Sequence, residues 1–298
     1  MAIYSTISAP TVTTETDCFA PKFSLVLATV GRTAELARFL KHLDAQTYRE
    51  FELILVDQNP GNDLDALVHE YQDRFPIMHL RSMPGLSYAR NVGLRHVSGH
   101  IIAFPDDDCW YACDTLEQVA EILRTHPECD GLSGMAVDES RTGSFPSFPR
   151  NGGWITKNNV WRCALSITIF LRSALVRHVG GFDEDLGVGS RSGRLSGEET
   201  DYLIRALESG FRIYYRPDLD IFHPYPHFRY DHKLAKRGYN YSLGFGYVIR
   251  KHRYSPLFIG YYWMRALTAA ALSFLTFEFG KSRYYWAVLR GRVIGWLG

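Results

Sequence analysis

Three adjacent carboxylates, Asp106-Asp107-Asp108, follow directly on the apolar run Ile101 to Phe104 and Pro105. Like charges this close repel, and burying any part of them is costly unless a cation is present. A hard divalent ion carrying a diphosphate would offset that repulsion; a solvated acidic turn is the plainer alternative. A second segment, Met83-Pro84-Gly85-Leu86-Ser87-Tyr88-Ala89-Arg90-Asn91-Val92-Gly93, reads as a turn running into a helix. Ser87 is read as its N-cap and Arg90 as a first-turn residue facing the same edge as Asp57. An arginine beside a helix start suits an anionic or planar ligand such as a nucleotide, although a surface arginine is the commoner case. In the third segment, the Gly/Ser/Arg stretch from Gly187 to Gly197 leads into Glu198, Glu199 and Asp201. The glycine content predicts a mobile loop, and the acids open a helix running to about Ser209. Acids at a helix start are favoured by the macrodipole alone. One of them within hydrogen-bond reach of a hydroxyl could also act as a general base.

The elements that must position these groups are legible as alternating periods. Phe23 to Thr29, Phe51 to Val56, Ile77 to Leu80 and Ile101 to Phe104 are short continuous apolar runs of strand length. Helical patterns lie between them at Thr33 to Leu43, Leu64 to Arg74 and Tyr88 to His96. Strands of this kind alternating with amphipathic helices imply an α/β fold with a parallel sheet covered on both faces. Ligands of such sheets bind beyond the carboxyl ends of the strands, which here carry Thr29, Asp57 and Asp106 to Asp108. From Gly131 to Ser173 the pattern is less regular, with turns at Pro146, Pro149 and Gly152-Gly153. No internal repeat or low-complexity segment is present.

In this order and spacing the three segments resemble the family 2 glycosyltransferases of the GT-A fold. The resemblance covers Phe23 to His223, about two thirds of the chain. Gly85 to Asn91 reproduces the family's Gly-Leu-Ser-x-Ala-Arg-Asn segment. Ser24 to Arg32 is similar to its first strand and loop, and Asp57 to its nucleotide-contacting acid, with Gln58 where many members have a second Asp. The resemblance implies a Rossmann-like, mostly parallel sheet with helices on both faces. Its DXD motif maps to Asp106-Asp107-Asp108, which makes Asp108 the direct ligand of Mn2+ or Mg2+ and turns Asp106 or Asp107 toward ribose and diphosphate, Asp106 being also a candidate metal ligand. Its Glu-Asp motif maps to Glu198-Glu199, with Glu199 as the base. His223, after the next strand, is the candidate third metal ligand, with His227 as a nearby competitor and a packed, hydrogen-bonded histidine as the alternative. Thr29, Arg32, Asp57, Arg90, Asp106 and Asp107 are thereby assigned to the donor, and Glu198, Asp201 and Trp110 to the acceptor side and its loop. The implied reaction is inverting transfer of a sugar from a nucleotide-sugar donor to a hydroxyl of a glycan or polyprenyl-linked acceptor. A sugar-nucleotidyltransferase would normally show a Gly-rich basic loop after the first strand, which Ala28 to Arg32 does not have; a non-catalytic binding member of a membrane assembly is the third reading.

The 298 residues, 46% hydrophobic and 22% charged, exclude disorder, collagen and a disulfide miniprotein. The net charge of +1 is a cancellation. Residues 226–298 hold 12 basic and two acidic side chains, so they carry +10 against −9 for residues 1–225, and they hold 18 of the 42 aromatics. Three regions are expected: a flexible arm over 1–21, a GT-A catalytic domain over 22–225, and a C-terminal helical, basic and aromatic membrane-associating segment over 226–298. Within the last, Leu257 to Phe277 has one charge in 21 residues, Arg265. That length would just cross a bilayer as a helix, but a mid-run arginine and basic residues at both ends favour lying in an anionic headgroup layer. Packing as a helical subdomain or an oligomer contact is the alternative. The aromatics fall in apolar runs rather than alternating with Lys and Arg, which argues against nucleic acid. Five unpatterned cysteines are read as reduced thiols, Cys109 and Cys113 included, and the polar N-terminus is not a secretory signal. The expected location is cytoplasmic, peripheral on the inner face of the cell membrane.

Overall fold

The computed structural model describes residues 20–140, 148–224 and 229–298. All but the last two residues of the expected arm, together with Cys18, Pro146 and His227, lie outside the described residues. The first half is built from β1 (Phe23–Thr29), α1 (Thr33–Asp44), β2 (Phe51–Asp57), α2 (Asp65–Tyr71), β3 (Ile77–Arg81), α3 (Leu86–Leu94) and β4 (Ile101–Ala103). Next come β5 (Trp110–Tyr111), α4 (Thr115–Thr125), β6 (Gly131–Val137), β7 (Gly153–Trp154), α5 (Val160–Cys163), β8 (Ile169–Arg172), α6 (Ser173–Val179), α7 (Glu198–Glu208) and β9 (Ile213–Phe222). One mixed sheet results, in the order β3-β2-β1-β4-β8-β6-β9-β5, with β7 paired to β9. Its first four strands are parallel, as the alternating pattern requires. Antiparallel β8 then reverses the direction between β4 and β6, and β6 and β9 are again parallel.

Alternate residues of β1 feed two cores. Phe23, Leu25 and Leu27 face α1, α2 and α4, while Val26 and Ala28 face α3, α6 and α7. This period of two is why β1 carries no polar side: both of its faces are covered. The helix α3 lies close on the sheet because residue 93 is glycine; a Cβ there would stand 2.5 Å from a Val26 methyl. The helix starts at Leu86 with Gly85 as N-cap, not after Ser87. Ser87 is already inside it, and its hydroxyl donates to the Leu186 carbonyl at 2.6 Å. A serine in the first turn thus ties the helix to the glycine-rich loop instead of capping it.

Three long helices close the chain: α8 (His232–Lys251), α9 (Pro256–Leu275) and α10 (Phe279–Leu297). Asp231 caps α8 by accepting from the Leu234 amide, and Ser255 followed by Pro256 opens α9. α8 and α10 run parallel and touch through small residues. A Cβ on Gly295 would come within 2.1 Å of the Leu243 carbonyl, and one on Gly246 within 2.3 Å of the Arg292 carbonyl. α8 also continues the main core through Val248 and Ile249. Arg292 is one of the basic residues that follow the apolar run Leu257 to Phe277. It is partly buried beneath Phe245 and Tyr262, where burial draws its pKa down to about 10. No helix among the described residues is long and apolar enough to cross a membrane.

Candidate active site

A cleft of about 400 Å³ opens at the carboxyl ends of the parallel strands. Asp106, Asp107 and Asp108 line one side, Glu198 and Glu199 at the start of α7 another, and Gln58, Gly85 and His223 complete it. The three aspartates have three different environments. Asp107 is buried, accepts from the Thr29 hydroxyl at 2.7 Å and from Arg32 at 2.9 Å, and is pushed up to about 6 by burial against those partners. Asp106 accepts from Arg90 at 2.8 Å. Asp108 pairs with Arg32 on one oxygen, while the other lies 3.4 Å from His223 Nε2. Burial raises Asp108, but the bond and charge of His223, helped by Arg32, outweigh it and hold it below the usual carboxylate range. His223 is raised in turn, Asp108 overcoming its burial.

Arg90 is fully buried beneath the cleft and bridges two of its lining residues, Asp106 and Glu198, whose Oε1 is 3.4 Å away. The sequence expectation of a direct ligand contact therefore changes: the guanidinium cannot be reached from solvent, and it joins the two acidic walls. Asp57 changes in the same way. It is fully buried, accepts from the Asn59 amide and side chain, and pairs with Arg81 at 2.7 Å and His79 at 3.1 Å. It braces the ends of β2 and β3 instead of facing the cleft. The neighbouring Gln58 does face it, with its side-chain oxygen accepting from the Gly85 amide at 2.7 Å.

The loop before α7 ends at Gly197, whose φ of +93° is the left-handed conformation that glycine adopts without strain. The turn aims Glu198 and Glu199 into the cleft together. Each has a buried Oε2 with no hydrogen-bond partner. Burial raises both acids; for Glu198 the charge of Glu199 adds to it, and Arg90 opposes it in each. The pair is thus arranged to accept a proton, with Glu199 the more open of the two.

Two residues expected on the acceptor side are elsewhere. Trp110 is buried in β5, stacked on Phe222 at 5.7 Å under the Arg38 guanidinium. Asp201 is fully buried and bonds Arg205, Lys251 and His252 at 2.8 to 2.9 Å, which ties α7 to the end of α8. Conversely, Arg237 and Tyr241 of α8 line the cleft, and Arg237 donates to the Tyr241 hydroxyl at 3.1 Å. Sequence reasoning missed them because the basic and aromatic content of residues 226–298 was read as one surface. Their spacing of four, which puts both on one helix face, was the available signal.

Among the described residues no group of three or more His, Cys, Asp or Glu is gathered to hold a metal ion. Asp108 with His223 is a two-residue oxygen and nitrogen donor set. That set fits Mn2+ or Mg2+, ions held by one or two side chains plus substrate phosphates rather than by an all-protein cage.

Residues 24–174 match the family model described as Glycosyl transferase family 2. Glycosyltransferase AglE of Haloferax volcanii is 25% identical over 218 residues, 68% of this chain and 67% of that protein. A glucosyl-dolichyl phosphate glucuronosyltransferase of the same organism is 23% identical over 68% of this chain and 69% of its own length. Among solved structures, the mannosyltransferase PcManGT from Pyrobaculum calidifontis, in complex with GDP-Man and Mn2+, is similar with a TM-score of 0.64. It is 17% identical, over 93% of this chain and 88% of that one. TarS 1-349 of S. aureus in complex with UDP-GlcNAc has a TM-score of 0.59 and 17% identity, over 91% and 90%. At these identities the two structures show the shared GT-A fold.

Proposed function

This chain belongs to glycosyl transferase family 2, and from that premise we propose that it moves a sugar from a nucleoside diphosphate donor to a hydroxyl of a glycan or lipid-linked acceptor, with inversion. The observation that carries this reading is the opposition of two acidic walls across one cleft. One wall, Asp106 to Asp108 with Arg32 and His223, suits a diphosphate. The other, Glu198 and Glu199, ends in buried carboxylate oxygens without a proton donor. The relative that acts on a glucosyl-dolichyl phosphate favours a lipid-linked acceptor. The neighbours holding GDP-Man and UDP-GlcNAc favour a nucleotide-sugar donor.

In this reading Glu199 takes the acceptor hydroxyl proton as that oxygen attacks the anomeric carbon. The bond from that carbon to the phosphate oxygen breaks, and its electron pair leaves with the nucleoside diphosphate. Arg32, half exposed and already bridging Asp107 and Asp108, turns one edge of its guanidinium to the diphosphate. Arg90 fixes the positions of Asp106 and Glu198 relative to each other. Gln58 and Gly85 shape the nucleotide end, and Arg237 with Tyr241 shape the acceptor end. Asp108 and His223 would hold Mn2+ or Mg2+, with Asp106 beside them; such an ion neutralises charge on a departing diphosphate.

Incubation with a panel of nucleotide sugars, with Mn2+ or Mg2+ and with chelator, tests the reading. One donor is expected to release its nucleoside diphosphate, and chelator is expected to stop the release. Pyrophosphate released from a nucleoside triphosphate would indicate a nucleotidyltransferase instead. Donor affinity with no turnover on any acceptor would indicate a binding protein.

A further inference from the structure

Of the 16 exposed large apolar side chains among the described residues, 11 lie between residues 257 and 297. They are ordered. On α9, Leu257, Tyr261, Met264, Leu272 and Leu275 follow one another at helical spacing along nearly the whole outer face. On α10 the outer face reads Phe279, Arg283, Trp286, Arg290, Ile294 and Leu297, in steps of three and four. The two faces meet at an elbow where Leu275 is 70% and Phe277 79% exposed. Phe277 has a φ of +60°, a conformation usually left to glycine or asparagine. The ring held there at the tip of the turn meets Phe279 edge-on at 6.1 Å and leaves most of its surface in water.

Charge decides what covers this surface. Residues 226–298 hold 12 basic and two acidic side chains, and each acid, though exposed, already has a partner within the segment. Asp231 caps α8 and Glu278 pairs with Lys281 at 3.0 Å. Exposed Arg253, Arg265, Arg283 and Arg290 lie among or beside the apolar stripes. A second copy would bring the same cations against each other, whereas an anionic lipid surface offers phosphate for the arginines and acyl chains for the apolar tips. Arg265 is exposed midway along α9, so the helix lies along such a surface and not through it. The −9 carried by residues 1–225 is repelled from anionic lipid and turns the catalytic body outward.

We propose that the outer faces of α9 and α10 dock in the plane of an anionic bilayer, with the elbow at Leu275 to Phe279 as the deepest point. This deepens the proposed transfer reading by fixing where a lipid-linked acceptor is met. α8 lines the cleft through Arg237, and its neighbour Gly238 packs on Tyr284 of α10. The acceptor wall is therefore one helix removed from the lipid.

Flotation of the full chain with vesicles tests the proposal. Vesicles of phosphatidylcholine with phosphatidylglycerol should carry the protein at least about tenfold better than phosphatidylcholine alone, and less well at high salt. The double variant Leu275→Asp, Phe277→Asp, altered only at exposed positions, should lose that binding about tenfold or more with an unchanged melting temperature. Its release of nucleoside diphosphate from the donor in solution should equal wild type. Equal binding to both vesicle types overturns the proposal, as does a variant that floats like wild type. An oligomer that the variant dissolves, without vesicle binding, would assign the surface to a second copy. If flotation behaves as expected while no donor is consumed, the docking stands and the transfer reading alone fails.

Discussion

Arg90 shows what a residue type can and cannot reveal. Its place in Gly85 to Asn91 marked it as functional, but its partners Asp106 and Glu198 are 16 and 108 positions away. Only the folded chain shows that it is fully buried and pairs with two acids. Asp57, expected to contact the nucleotide, instead pairs with Arg81 and His79, and Ser87, expected to cap the helix, instead donates to the Leu186 carbonyl, because a polar side chain looks identical in sequence whichever partner it meets. The acidic pair on α7 carries a testable consequence at this scale. Burial raises both Glu198 and Glu199, so the working base should gain its proton at a higher pH than a free glutamate. A base acts when deprotonated, so kcat/KM should rise with pH through that raised value and be lost below it. In a pH-rate profile the acid limb is expected above about 4.5, the ordinary glutamate value. A limb at the ordinary value would show that a solvated carboxylate, not this pair, is the base.

The strands of the first half were legible almost to the residue, because a parallel strand covered on both faces must be a continuous apolar run, as Leu25 to Ala28 and Leu53 to Val56 are. The reversal at β8 was not, since Ile169–Arg172 reads the same in either direction. The role of Asp201 was also hidden. Acids at a helix start are favoured by the dipole, and nothing local shows that Lys251 and His252, 50 residues on, converge on this one. The cluster fixes α7, and so Glu199, to the end of α8. Those partners outweigh burial and hold Asp201 at about 2. Its contribution is therefore complete above the unfolded value near 3.8 and is lost as pH falls toward 2. Asp201→Asn is expected to cost about 2 to 3 kcal/mol at neutral pH, less than a fully enclosed pair because Lys251 and Arg205 remain partly solvated. Urea denaturation should show that difference at pH 7 and its disappearance near pH 2. A variant as stable as wild type at pH 7 would remove the cluster from the account.

Across the whole molecule, the net charge of +1 separates into a body of −9 and a helical tail of +10, a division visible in composition alone. Composition did not show that the tail also forms a wall of the cleft through Arg237 and Tyr241, which only the docking of α8 on α7 reveals. In the proposed reading the chain divides its work: the ends of β1 and β4 with Arg32 and His223 would hold the donor, while α7 and α8 would face the acceptor. The most direct test of that division is Glu199→Gln, which keeps the shape of the side chain and removes its basicity. Calorimetric affinity for the nucleoside diphosphate with Mn2+ should stay within about twofold of wild type, while turnover falls by roughly a hundredfold to ten-thousandfold. Turnover near wild type, or loss of donor affinity in parallel with turnover, would contradict the assignment of Glu199 as the base.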